Sequence, residues 1–256
     1  MRVYRDADKK SYAIMKPEQE FYEENKPVTY AEYLVRKRKF NVLLSILGKL
    51  NKKSVLNSGC GAGMDCEWVT KEGAKSFGLD VSPRLIRLAK RRFRKKKLTG
   101  KFVIGDMENL PFKTNSFDVV IFYDSLHHSD SIHKSLLESN RVTRDLIGIV
   151  EPNKNCLTRK LAEIFFKDSL KEHCDLPTKA QTINYYIRDF KDTGFRIKEY
   201  LFSNIVPPEV CTSNFKISFS IFSSLIGLLA PILDRLFETL FPYSCSACIV
   251  VGRKYR

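Results

Sequence analysis

The sequence predicts an α/β fold built on a doubly wound, mostly parallel sheet, and three observations lead there. Strand-like and helix-like segments alternate five times between Ser54 and Pro152. A glycine cluster, Gly59-Cys60-Gly61-Ala62-Gly63, follows the first strand and opens a helix. Gly59, Asp80, Asp106, Asp124 and Glu151 all fall where predicted strands end, the edge at which such sheets bind ligands.

Length and composition bound the problem. The 256 residues suffice for one well-buried α/β domain with insertions, without requiring a second. Lysine and arginine number 44 against 29 acids, a formal net charge of +15, so an anionic partner such as RNA or a lipid surface has to be weighed. The seven cysteines are scattered, and the N-terminal MRVYRDADKK is charged rather than apolar. Reduced thiols and a cytoplasmic setting are therefore expected. Cys245-Ser-Ala-Cys248 opens an apolar strand-like run with no second pair or nearby histidine, so packing is expected there and no metal site.

Residues 1 to 27 are polar and rich in aromatics and suggest an arm. From Thr29 a capping box with Glu32 leads into Leu34, Phe40, Leu43, Leu44 and Leu47 at helical spacing. Val55-Leu56 carries the first strand. Ser76-Phe77-Gly78-Leu79 carries the second, ending on Asp80. Ser82-Pro83 starts a helix with Leu85, Ile86, Leu88, Ala89 and Phe93 inward, closed by Gly100. FVIGDM is the third strand, and Phe117 to Phe122 is the clearest strand in the chain. His127 and His128 lie just past its end. A helix with Leu136, Leu137 and Val142 precedes the fifth strand, LIGIVEP. Two helices are expected over 157–193, a sixth strand over Phe195 to Ile205, and a terminal strand in CSACIVVGRK. The uncharged run from Ile217 to Leu233 is shorter than the ~20 residues of a spanning helix and contains Pro231, so it does not read as a bilayer crossing.

NSGCGAG, the acid in GLDVS, GDMENLPF and NSFDVVIFYDSLHH resemble, in order and spacing, the motifs of class I S-adenosylmethionine-dependent methyltransferases, in particular the branch acting on small molecules, quinone precursors and lipids. The resemblance covers about residues 50 to 155. It implies a Rossmann-like seven-stranded sheet with an antiparallel last strand, and S-adenosyl-L-methionine as cofactor. Asn57, Gly59, Cys60, Gly61, Gly63, Asp80, Val81, Asp106, Met107 and Tyr123 would be the cofactor-binding positions. The glycines would border the methionine end, Asp80 would hold the ribose diol, Asp106 the adenine amino group, and Met107 the adenine ring. Tyr123 and Asp124 would flank the methyl group. Asn57 stands where the family usually has an acid; it can accept a hydrogen bond but brings no charge for the cofactor's ammonium, so either affinity would be lower or the amine would be met elsewhere, for example by a backbone carbonyl.

Methyl transfer from a sulfonium needs no metal, and a base only where the acceptor must lose a proton. His128, and after it His127, are the catalytic candidates, set against a capping or packing role. The division expected is an N-terminal arm and helix over 1–50 serving as a lid, then a methyltransferase domain over 51–256 with a hydrophobic helical insert at about 206–242. That insert reads as a cover over an apolar pocket or as an interfacial element. The expected function is methylation of a small, lipophilic or lipid-linked acceptor, with peripheral association to an anionic membrane as an added prospect. RNA methylation, invited by the basic run Arg87 to Lys97, and a non-catalytic cofactor-binding protein are the alternatives.

Overall fold

Phe117–Tyr123, strand β4, is apolar at nearly every position because both of its faces are covered. Phe117, Val120 and Phe122 enter one core, and Val119, Ile121 and Tyr123 enter the other. The computed structural model describes residues 30–156, 180–203, 240 and 245–255. Its elements are α1 (Tyr30–Leu47), β1 (Ser54–Ser58), α2 (Met64–Lys71), β2 (Lys75–Asp80), α3 (Pro83–Lys95), β3 (Gly100–Ile104), β4, α4 (Ile132–Val142), β5 (Thr143–Pro152), α5 (Ile183–Asp192), β6 (Phe195–Ser203) and β7 (Ala247–Lys254). They form one seven-stranded sheet in the order β3-β2-β1-β4-β5-β7-β6. Strands β1 to β5 pair in parallel, and β7 runs antiparallel to both β5 and β6, as the resemblance implied for the last strand.

Helices cover both faces. Phe40, Leu43, Ile46 and Leu47 of α1 pack with Trp68 and Val69 of α2 over β1, β4, β5 and β7. Leu136 and Val142 of α4 and Tyr186 and Phe190 of α5 close the other face. Leu137, expected inward, is 46% exposed. The α3 helix is capped by Ser82, whose hydroxyl accepts from the Leu85 N–H, and has Pro83 in its first turn. Its end differs from expectation. Lys97, at φ 53°, makes the turn, and Gly100 is the first residue of β3.

Two basic side chains of the predicted cationic run do structural work. Arg92 Nε donates to the Ala62 carbonyl at 2.9 Å, and Lys96 Nζ reaches both Glu67 oxygens at 2.8 and 2.7 Å, tying α3 to α2. Cys245 and Cys248 are fully buried free thiols. No helix among the described residues is long and apolar enough to cross a membrane. The expected arm at 1–27, the capping box at Thr29, the helix over 157–179 and, apart from Leu240, the insert at about 206–242 lie outside the described residues.

The position of α1 depends on Gly148 in β5, where a Cβ would come within 2.7 Å of Leu43 Cδ1. Gly148→Val is expected to lift this helix and cost ~1–3 kcal/mol by overpacking. Urea denaturation reads it, and an unchanged midpoint would show that the helix seat is looser than the packing implies.

Candidate cofactor and active site

The order of the sheet reverses between β1 and β4, and a cavity opens at the carboxyl ends of those strands. Chain geometry prepares its floor. Gly59, at φ 73°, passes so close to the exit of β4 that a Cβ would lie 2.6 Å from Ser125 Cβ and 3.1 Å from Met107 Cε. Gly61, at φ 49°, would meet nothing within 4 Å, so the turn presents bare backbone to open space there.

Asp80 at the tip of β2 fixes that turn. One carboxylate oxygen accepts the Gly61 N–H at 2.9 Å and the other the Ser82 N–H at 2.9 Å. The same residue lines the cavity. Asp106 accepts the Glu108 N–H at 2.9 Å in a local turn after β3.

The exit of β4 is held from two sides. Asp124 sits at a left-handed φ of 48°, and Lys39 and Arg36 of α1 reach its carboxylate at 3.2 and 3.4 Å. Burial would raise its pKa, but Lys39, Arg36 and His127 outweigh that and hold it below the usual range. Beneath it, Glu151 of β5 is fully buried. Its oxygens accept the N–H groups of Ser125 (3.0 Å), Leu126 (2.7 Å) and His127 (3.3 Å), and His127 Nδ1 lies 2.6 Å away.

Of the positions predicted from sequence, Gly59, Cys60, Gly61, Asp80, Val81, Asp106, Met107, Tyr123 and His128 line the cavity. Three do not. Asn57 is fully buried in β1, where it shares a face with Val55; its side chain lies beside the Cys66 thiol and no amide atom reaches hydrogen-bond geometry. Gly63 caps α2 at φ 79°, and a Cβ there would lie 3.0 Å from Ala89 Cβ of α3, so its bare backbone lets that helix pack closely. His127 is turned inward to Glu151, only 6% exposed, and packs at a tilt of 41° against His128 with ring centroids 4.0 Å apart. Tyr123 donates its hydroxyl to the Arg36 carbonyl at 2.8 Å, which makes it an anchor for α1 as well as a wall residue.

Asp65 was missed. It sits in the first turn of α2, lines the cavity and is 6% exposed. Burial, together with the nearby Asp80 charge, pushes its carboxyl up to about 7 against the opposing backbone hydrogen bonds and Arg92. In sequence, an acid in a first helical turn reads as a partner of the helix dipole, which concealed it.

Residues 56–146 match the family model described as a methyltransferase domain. Among curated proteins, the phthiotriol/phenolphthiotriol dimycocerosates methyltransferase of Mycobacterium leprae is 38% identical over 97 residues, covering 37% of this chain and 35% of that protein. The demethylmenaquinone methyltransferase of Tropheryma whipplei is 31% identical over 100 residues, 39% and 41% of the two chains. The matched part thus spans little more than a third of these relatives. Among solved structures, magnesium protoporphyrin IX methyltransferase from Synechocystis PCC 6803, with bound SAH, superposes at TM-score 0.65 with 13% identity over 98% of this chain and 100% of that one. The fold and site define a mostly parallel α/β protein with a cavity at the switch point of its sheet. The resemblance to class I S-adenosylmethionine-dependent methyltransferases, and S-adenosylmethionine as cofactor, are borne out by these matches.

Two measurements probe this architecture. Glu151→Ala would strip an acceptor from three buried N–H groups and from His127, with an expected loss of ~3 kcal/mol or more in urea denaturation. An intact midpoint would mean the turn after β4 holds without it. For Asp65, the folded pKa of about 7 lies above the unfolded value, so the native state binds the extra proton and ligand-free stability falls as pH rises from about 4 to about 7. Ligand-free Asp65→Asn should therefore melt above wild type by a larger margin at pH 8 than at pH 5. Equal melting at both pH values would contradict the buried charge.

Proposed function

We propose that this chain transfers a methyl group from S-adenosylmethionine to a small, lipophilic or lipid-linked acceptor. The observation that carries the reading is the bare-backbone turn at Gly59 and Gly61, locked to the Asp80 carboxylate beside a cavity walled by Asp106 and Met107. When bound, the cofactor supplies an electrophilic methyl on a sulfonium. The chain's residues do the rest by position. Asp80 receives the ribose hydroxyls, Met107 covers the adenine, and Tyr123 and Ser125 bound the reacting end. His128 lines the same cavity and is the group placed to take a proton from an acceptor hydroxyl, with His127 and Glu151 holding its turn.

The names of the matched relatives, a quinone-precursor and a lipid methyltransferase, support an apolar acceptor. Titration calorimetry with S-adenosylmethionine tests the cofactor half. Wild type should bind, and Asp80→Ala should weaken binding at least tenfold through lost charge-assisted hydrogen bonds. Binding that survives Asp80→Ala unchanged would remove the assigned ribose site. His128→Ala should lower the rate of methyl transfer to a hydroxyl-bearing quinone precursor ~100-fold while leaving cofactor affinity intact. An unchanged rate would leave His128 as a wall residue only.

A further inference from the structure

The cavity is acidic inside a basic chain. Asp65, Asp80, Asp106, Glu108, Asp124 and Asp130 stand against Arg36 and Arg92 on its wall, although the protein as a whole carries +15. Most of these acids already have work. Asp80 and Asp106 hold backbone N–H groups, Asp124 is paired with α1, and Glu108 accepts the Asp130 and Ser131 N–H groups at 2.7 and 3.2 Å. Asp65 differs. Its Oδ1 accepts the N–H of its neighbour Cys66 at 2.9 Å, and among the described residues no ion pair neutralises it. The closest cation to bear on it, Arg92 of α3, spends its Nε on Ala62 and leans on Glu67 at 3.8 Å. A nearly buried carboxylate on a cavity wall with no cation of its own is poised for one that arrives from outside.

The cofactor of the proposed function carries such a cation, the ammonium of its methionine end, and the glycine turn that would border that end leads directly into α2. Asn57 is sealed beneath the sheet surface and uncharged. We propose that Asp65 is the carboxylate that receives this ammonium group, replacing at a different point of the fold the charge that Asn57 does not bring. The inference rests on the cofactor reading and adds a residue to it. The groups facing Asp65 are Asp80 from β2, Arg92 from α3, and Cys60 from the turn, whose thiol is raised by its hydrogen bond to Cys66 and by burial. Asp65 lines the cavity with a carboxyl poised at about 7, so pairing should drive off its proton near neutrality.

The test compares S-adenosylhomocysteine with its des-amino analogue, which keeps the adenosine and the carboxylate but lacks the ammonium. By calorimetry, Asp65→Asn should weaken S-adenosylhomocysteine about tenfold or more and leave the analogue unchanged. Wild type titrated at pH 7 in two buffers of different ionisation enthalpy should release protons with S-adenosylhomocysteine and not with the analogue, a readout that needs no variant. Equal wild-type affinities for the two ligands, equal weakening of both by Asp65→Asn, or no proton release would overturn the assignment while the cofactor reading stands. Wild type that binds neither ligand would overturn the cofactor reading itself, and Asp65 with it.

Discussion

The buried Glu151 carboxylate is the interaction on which the working end of this sheet depends. A strand that ends in a sharp turn leaves several N–H groups pointing away from the ladder, and burying them unpaired costs ~1–3 kcal/mol each. Glu151, at the end of β5, gathers three of them from the turn after its neighbour β4, and takes the His127 ring as well. His128 thereby stands on a fixed turn rather than a wandering loop. The acid is unexposed and surrounded by donors, so its oxygens are occupied where they sit.

Asp80 repeats the arrangement on the other side of the switch point. It ends β2, the neighbour of β1, and holds the turn that follows β1 through the Gly61 N–H. In both cases a carboxylate at the tip of the flanking strand organises the loop leaving an inner strand. The two inner strands, β1 and β4, pair directly with each other, so the two organised loops face across one gap. The α1 helix closes the arrangement by binding Asp124 with Lys39 and Arg36 and by receiving the Tyr123 hydroxyl. The cavity is thus a consequence of strand order plus two carboxylates, before any ligand is considered.

These relations explain what could be read from residues alone. The alternation, the FDVVIFY strand, the glycine turn and the acids at strand ends are local signals with local physical causes, and each predicted element among the described residues is present. Burial direction was harder. Asn57 sits in the expected motif position, yet the two-residue period of β1 turns it toward α2 and Cys66, a matter of sheet orientation that one strand does not declare. Gly63 was legible as a conformational glycine but not as a packing one, because the Ala89 contact comes from a helix many residues later. His127 and His128 are adjacent and chemically identical, and only the position of Glu151 sends one inward and leaves the other on the wall. Asp65 was hidden because its significance lies in what is missing around it, a cation, and no local pattern encodes an absence.

A +15 chain would seem a poor host for a cofactor that carries a sulfonium and an ammonium. Distance resolves the conflict. At physiological ionic strength exposed charges are screened over ~8 Å, so the lysines and arginines along α3 act mainly on their own surroundings. Inside the cavity the effective dielectric is lower and the nearby carboxylates dominate. Arg92 of α3 and Lys96 just past its end are moreover engaged by the Ala62 carbonyl and Glu67, so part of the formal charge is used by the fold. The acidic cavity and the basic exterior are therefore electrostatically separate environments.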